Sequence, residues 1–184
     1  FKDIWNKDAF LFPEKINGQY IIYHRIEPSI WVSYMDNLEF PVPKEGHSII
    51  MGPRPGKMWD FLKIGAGSQP IKTKYGWLMI YHGVDKEKVY RLGVMLVPLD
   101  EPERVIYRSP NPILSPETEH EIGQPGCSWV PNVVFTCGAV PAKDKEILEA
   151  DDEILVYYGA ADTYMCLATG LVGDLIPEEV RKEL

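Results

Sequence analysis

The 184-residue chain is acidic, with 19 lysines and arginines against 27 aspartates and glutamates, a formal net charge of −8 and a pI near 5.0. This balance argues against binding to nucleic acid or to an anionic membrane surface. A hydrophobic content of 45% is sufficient for a globular core, and no window approaches the run of about 18 apolar residues that a membrane-spanning helix needs.

The chain begins FKDIWNKDAF, without an initiator methionine and without the basic and apolar regions of a signal peptide. We therefore expect it to be part of a longer protein. Its cysteines, Cys127, Cys137 and Cys166, are an odd number at wide spacings, which favours reduced thiols and a cytoplasmic location. They form no zinc-ligand pattern with the histidines, so we expect neither a metal nor an organic cofactor.

Short runs of β-branched and aromatic residues, separated by Gly, Pro, Asn and Asp, follow one another along the chain. The tail IPEEVRKEL, residues 176–184, has the clearest helical signal, because Pro177 suits a first helical turn and two acids follow it. The pattern predicts an all-β protein with a short C-terminal helix. The predicted strands are 9–16, 19–25, 30–35, 69–73, 76–84, 90–99, 104–109, 129–138, 153–161 and 163–172.

These strands fall into three similar units, 11–38, 68–102, and 129–140 continued at 151–175. Each unit has a first strand with a proline, a second strand that ends in an aromatic and a polar residue, and a third strand of alternating small and large residues. Units of this kind are typical of β-propeller blades, and three blades cannot close a ring of about four to eight. We therefore expect residues 1–184 to be the C-terminal portion of one propeller domain, with 139–152 as a charged surface loop.

Equivalent strand ends in a propeller converge on one axis, which would bring together Tyr23-His24-Arg25, Tyr81-His82-Gly83 and Tyr157-Tyr158-Gly159. Lys7 and Lys63 precede the first two of these strands. Basic residues gathered at one place in an acidic protein predict an anion site, because Arg offers a two-pronged donor and Lys a point charge. The glycines of KIGAG, 63–67, would let the backbone approach a ligand closely.

Each of these residues also has an ordinary explanation. A single lysine or arginine is most often solvated, a single histidine at a strand end is most often a hydrogen-bonded core group, and most tyrosines and tryptophans are core residues. Asp162 is as well explained as a turn cap as by a ligand contact. The functional interpretation therefore depends on convergence of several residues.

Five segments, in this order, resemble glycoside hydrolase family 130, the β-mannoside phosphorylases, which are five-bladed propellers. They are NKDAFLFPEKINGQYIIYHR, LKIGAGSQPIKTKYGWLMIYHGV, YRLGVMLVPLDEPERVIYRSPNPIL, VPNVVFTCG and VYYGAADT. The resemblance implies inverting phosphorolysis of a β-mannoside to α-mannose 1-phosphate, with inorganic phosphate as co-substrate. It covers nearly the whole chain apart from the 139–152 loop and the final helix.

The resemblance also implies roles for individual residues. The phosphate pocket would consist of Lys7, Arg25, Lys63 and His82, and the mannose-binding wall of Asp162, Tyr90, Asn132 and Phe135. The family's general acid is an aspartate from an earlier blade, and no residue of this chain corresponds to it. The resemblance therefore implies that the chain holds the phosphate- and mannose-binding half of a site and no catalytic residue, and that alone it is inactive.

Two alternatives stay open. An inverting β-mannosidase would need a second carboxylate to activate water, about 6.5–9.5 Å from the first. A non-catalytic carbohydrate-binding propeller would need no acid at all. The sequence leaves open which mannosidic linkage is used and whether the protein is a homo-oligomer.

Overall fold

The computed structural model describes residues 4–43 and 46–184. Its strands form three antiparallel sheets, and its helices are short, which confirms the prediction of an all-β chain. Sheet one holds four strands in sequential order, β1 (Asn6–Leu11), β2 (Tyr20–Ile26), β3 (Ser29–Met35) and β4 (His47–Met51).

Sheet two has β7 at its centre. Both β5 and β6 pair with β7, so they act as two segments of one interrupted first strand. The sheet continues from β7 to β8 and β9. Its strands are β5 (Lys63–Ala66), β6 (Ile71–Thr73), β7 (Gly76–Val84), β8 (Tyr90–Val97) and β9 (Tyr107–Arg108).

Sheet three holds β10 (Val134–Pro141), β11 (Glu153–Ala160) and β12 (Tyr164–Leu171), again in sequential order. The helices are α1 (Glu119–Ile122), α2 (Val172–Leu175) and α3 (Glu178–Lys182). None of the helices in the described ranges has the length and apolar character that crossing a membrane requires.

The three sheets correspond one to one with the three sequence units, while their role as propeller blades stays a prediction. The C-terminal helix is confirmed in α3, but the expectation of no other helix is wrong, since α1 and α2 were not predicted. Strands β4 and β5 were also missed. The prolines expected within the first strands lie outside them, since Pro13 follows β1, Pro70 precedes β6 and Pro131 precedes β10, while β10 ends at Pro141.

The long apolar run of β7 is explained by burial on both faces, and all nine of its residues are buried. Trp77, Met79 and Tyr81 belong to the core shared with sheet one. Leu78 and Ile80 belong to the core shared with sheet three. A strand buried on both faces carries a continuous apolar run in place of an alternating one.

The outer sheets also carry exposed apolar side chains. Phe40 on the β3–β4 link and Ile49 of β4 are 68% and 57% exposed, and on sheet three Met165 and Leu167 are 66% and 51% exposed. Apolar side chains thus line both ends of the three-sheet stack, a pattern typical of a surface that packs against further protein.

A buried ionic network fixes the link between sheets one and two. Asp60, which is fully buried, accepts hydrogen bonds from Arg54 Nε at 2.9 Å and 3.0 Å and from the Tyr81 hydroxyl at 2.9 Å. Arg108 of β9 contacts the same carboxylate. Burial of one carboxylate is compensated by two guanidinium groups, and this network fastens the segment before β5 to β7 and β9.

Gly65 provides a test of how tightly β5 packs on β7. A Cβ at this position would lie 2.5 Å from both His82 Nε2 and Asp8 Oδ2. We expect Gly65→Ala to lower the free energy of unfolding by about 1–3 kcal/mol, the usual cost of overpacking a core. Urea denaturation measures the change.

Gly138→Ala is the matched control, because Gly138 also lies in a strand and a Cβ there would meet nothing within 4 Å. We expect it to change stability by no more than about 0.5 kcal/mol. Similar losses in the two variants would contradict the packing described for Gly65.

Candidate functional site

Arg25 is the centre of a charged cluster between sheets one and two. Its side chain is 2% exposed, and its Nη1 lies 3.0 Å from His82 Nε2 and 2.9 Å from Asp8 Oδ2. Lys7 lies opposite Arg25 in the pairing of β1 with β2. The alternation of β2 explains the burial, because Ile21, Tyr23 and Arg25 share the face that packs on β7.

Glu27 joins Lys63 to this cluster. One oxygen, Oε1, lies 2.9 Å from Lys63 Nζ and 3.4 Å from Arg25 Nη2. The structure therefore brings Arg25, Lys63 and His82 into one linked group, as the sequence predicted. The side chain of Lys7 is exposed at the edge of this group.

His82 is a neutral member of the group, contrary to its place among the predicted cations. Burial lowers the pKa of His82 well below its usual value, and the charges of Arg25, Lys63 and Lys7 lower it further. Since Arg25 donates to Nε2, the imidazole proton resides on Nδ1. Nδ1 is buried and has no hydrogen-bond partner among the described residues, and Arg25 Nε is in the same state. The group thus offers two buried donors.

Asp8 belongs to the group although no role was predicted for it. Its side chain is 10% exposed, and burial raises its pKa despite the opposing effect of Arg25. The register of β1 shifts between Lys7 and Phe10, and Asp8 has a positive φ of 51°. This bulge turns Asp8 toward the cluster, and a bulge cannot be located from the pattern of residues alone.

Aromatic rings border His82 on the side of sheet three. The Phe135 ring of β10 lies 4.3 Å from the His82 ring, centroid to centroid, and the Tyr90 ring lies 6.1 Å from it at an interplanar angle of 28°. The Tyr90 N–H donates to the carbonyl of Asn132 at 3.0 Å. Of the four predicted sugar-binding residues, Phe135 and Tyr90 thus lie near His82, and Asn132 is hydrogen-bonded to Tyr90.

Asp162 lies on the β11–β12 turn, at the end of sheet three where Val134 and Phe135 pair with Ala160 and Gly159. Ala161 and Asp162 have φ values of 47° and 50°, and the Thr163 N–H donates to the Ala160 carbonyl at 3.0 Å, as in a type I′ turn. The exposed side chain of Asp162 makes no hydrogen bond within the described ranges, so the turn does not use it as a cap. No contact joins Asp162 directly to the described part of the charged cluster.

A cleft of about 430 Å³ opens beside this group and is lined by the first strands of all three sheets. Asp8 and Phe10 come from β1, the segment Ala66–Gln69 from the end of β5, and Phe135 from β10. Of the three strand ends expected to converge, the structure joins two, through the contact of Arg25 with His82. The glycines of KIGAG have a different role, since Gly65 lies in β5 and leaves room for His82.

One residue predicted to converge with Arg25 lies elsewhere. His24 points to the opposite face of sheet one, where it contacts Asn6, Ser33 and His47 at 2.9–3.0 Å. Burial, together with His47, lowers its pKa to about 4. Adjacent residues of a strand face opposite sides, so His24 and Arg25 cannot both enter one site.

The model of the family described as β-1,4-mannooligosaccharide phosphorylase matches residues 1–177. A β-1,2-mannobiose phosphorylase of Thermoanaerobacter sp. (strain X514) is 50% identical over 163 residues, which cover 89% of this chain and 49% of that protein. A 1,2-β-oligomannan phosphorylase of the same strain is 45% identical, with coverages of 89% and 50%.

Among solved structures, β-1,2-mannobiose phosphorylase from Listeria innocua, in complex with β-1,2-mannobiose, superimposes with a TM-score of 0.79 and 35% identity. The match covers 92% of this chain and 45% of that one. The chain therefore spans about half the length of the relatives it matches. These findings confirm the resemblance drawn from the five sequence segments.

Proposed function

The chain belongs to glycoside hydrolase family 130, and on that premise we propose that it supplies the phosphate- and mannose-binding half of an enzyme that phosphorolyses β-mannosides with inversion, releasing α-mannose 1-phosphate. The observation that carries the proposal is the linked group of Arg25, Lys63 and His82 beside the cleft where three first strands meet. Lys7 completes the proposed phosphate pocket.

Phosphate needs positioning more than it needs activation. It arrives ionised, so a general base is unnecessary, and cations can hold it in line with the anomeric carbon. Arg25 and Lys63 provide charge, and the Nδ1–H of His82 and the Nε–H of Arg25 provide buried donors that lack partners in the described chain. Phe135 and Tyr90 offer apolar ring surface beside them for a sugar, with Asn132 and Asp162 as its polar contacts.

One observation favours an inverting β-mannosidase as the second candidate. Asp8 is a buried carboxylate that borders the cleft, and hydrolysis requires a carboxylate to activate water. However, Asp8 is ion-paired to Arg25 at 2.9 Å, and the cations around it favour an anionic nucleophile over water. Dependence of the reaction on phosphate separates the two candidates.

We further propose that residues 1–184 are the C-terminal portion of a five-bladed propeller and that the general acid comes from a blade outside this chain. The half-length coverage of the relatives and the exposed apolar faces of sheets one and three support this arrangement. A cytoplasmic location and the absence of a metal or organic cofactor stay predictions.

The function is tested by replacing the matched half of the Thermoanaerobacter β-1,2-mannobiose phosphorylase with this chain. We expect the chimaera to release mannose 1-phosphate from a β-mannoside only when inorganic phosphate is present, and the 184-residue chain alone to be inactive. β-1,2- and β-1,4-mannobiose are both offered, because the matched relatives and the family description differ in linkage. Release of free mannose without phosphate would favour the mannosidase, and sugar binding without any cleavage the non-catalytic module.

Arg25 is predicted to serve phosphate more than sugar. Arg25→Ala removes charge-assisted hydrogen bonds worth about 1.5–3 kcal/mol each, so phosphate affinity is expected to fall at least about tenfold, while mannoside binding without phosphate changes little. Calorimetric titration measures both. Arg91→Ala is the control, because Arg91 pairs with one carboxylate, Asp85, outside the cluster.

Because Arg25 is buried, the melting temperature of the Arg25→Ala variant is first compared with that of the unaltered protein. Lys63→Gln provides a second variant, at a side chain that is 22% exposed. Equal loss of phosphate and mannoside binding in both variants would count against the assigned pocket.

Asp162 is predicted to contact mannose hydroxyls. Asn tolerates the positive φ of this turn, so Asp162→Asn in the active chimaera is expected to keep its melting temperature within a few degrees. Hydrogen bonds to the sugar that strengthen in the transition state contribute several kcal/mol, so kcat/KM is expected to fall about 100-fold or more. Asp144→Asn, on the exposed 142–152 loop, is the control. An active variant that melts early would make Asp162 structural.

A further inference from the structure

One carboxylate oxygen, from Glu27, joins two cations of the proposed phosphate pocket, Arg25 of sheet one and Lys63 of sheet two. Glu27 Oε1 lies 2.9 Å from Lys63 Nζ of β5 and 3.4 Å from Arg25 Nη2 of β2. The distance to Lys63 is that of an ionic hydrogen bond to phosphate, and the distance to Arg25 is that of a looser ion pair. The Glu27 oxygen thus occupies a position suited to an oxygen of a bound phosphate.

Glu27 differs from Asp8, the other acid of the cluster, in its freedom to move. Asp8 is 10% exposed and is packed against Gly65, whereas the Glu27 side chain is 51% exposed on the link between β2 and β3. Its hydrogen bond with Lys63, together with the charges of Lys63, Arg25 and Lys7, lowers its pKa, so it is ionised at neutral pH. A half-exposed ion pair of this kind is weakly held.

We infer that Glu27 is a built-in competitor of phosphate, whose carboxylate holds the position between Arg25 and Lys63 and must swing into solvent before phosphate can bind there. The inference rests on the proposed phosphate pocket. With Glu27 in place, the three cations Lys7, Arg25 and Lys63 face two acids, Glu27 and Asp8. Once Glu27 leaves, three cations face one ionised acid, and the excess of two charges matches a phosphate dianion.

This arrangement favours phosphate over small monovalent anions. A monoanion that displaced Glu27 would only exchange one negative charge for another, whereas a dianion with several oxygens gains additional contacts with both cations. The apparent phosphate affinity is reduced by the fraction of molecules in which Glu27 occupies the position. Glu27 would therefore set both the selectivity and the strength of anion binding.

Removal of the carboxylate tests the inference in the chimaera described above, which supplies the missing half of the protein. We expect Glu27→Gln and Glu27→Ala in that chimaera each to bind inorganic phosphate at least fivefold more tightly than the chimaera that carries the unaltered chain, in calorimetric titrations at one fixed, low ionic strength. Two substitutions are needed because the Gln amide could itself donate to phosphate. The matched control is Glu14→Gln, since Glu14 is 48% exposed and pairs with Lys72 at 2.8 Å, outside the cluster, so its phosphate affinity should not change.

The outcomes separate the inference from the function on which it rests. If both Glu27 variants bind phosphate no more tightly than the unaltered chimaera, while Lys63→Gln weakens binding, the pocket stands and the role of Glu27 is overturned. Weaker binding in both Glu27 variants overturns it as well, because Glu27 would then support the pocket. If neither the unaltered chimaera nor any Glu27 variant binds phosphate, both the inference and the pocket fail. Measurable binding in the Glu27 variants alone supports both.

Discussion

Burial of β7 on both faces is the constraint on which the molecule depends. The side chains of Trp77, Met79 and Tyr81 complete one core, and those of Leu78 and Ile80 complete another. The same strand therefore sets the spacing of all three sheets. It also determines where His82 lies, because His82 follows Leu78 and Ile80 in the row that faces sheet three and reaches Arg25 of sheet one through Nε2.

Arg25 has to be neutralised where it lies, since a guanidinium that is 2% exposed cannot rely on water. Asp8 provides a fixed counter-charge and Glu27 a movable one. The cluster thereby meets two requirements that usually conflict. The buried guanidinium is paired in the folded protein, and positive charge is still available to bind an anion. The division between a buried and a half-exposed acid resolves the conflict.

The sequence predicted the parts of the fold that depend on apolar patterning and turn residues. β7, β8 and β11 were identified because long apolar runs end at Gly, Pro or Asp, and α3 because Pro177 precedes two acids. Strand β4, HSIIM, was missed because it is short and follows a sequence rich in proline and glycine, and KIGA was missed because its glycine suggested a loop. Gly65 of β5 is instead required by packing, because a larger side chain would clash with His82, a neighbour that only the folded structure reveals.

For the candidate site, the family resemblance and the repeat pattern selected residues that the structure brings together, notably Arg25, Lys63, His82 and Phe135. Charge pairing was not predictable, because Glu27 and Asp8 enter the cluster through a strand end and a bulge. The grouping of His24 with Arg25 was a mistake that strand alternation alone would have corrected.

The neutral state of His82 has a consequence for the proton balance of the pocket. Burial is the largest cause of its lowered pKa, and the charges of Arg25, Lys63 and Lys7 add to it. A bound dianion opposes only the effect of the three cations and leaves the effect of burial in place. The ring therefore enters the binding step neutral, with its proton on Nδ1, and the cluster selects the dianion through its fixed cations and not through a histidine that must first be charged.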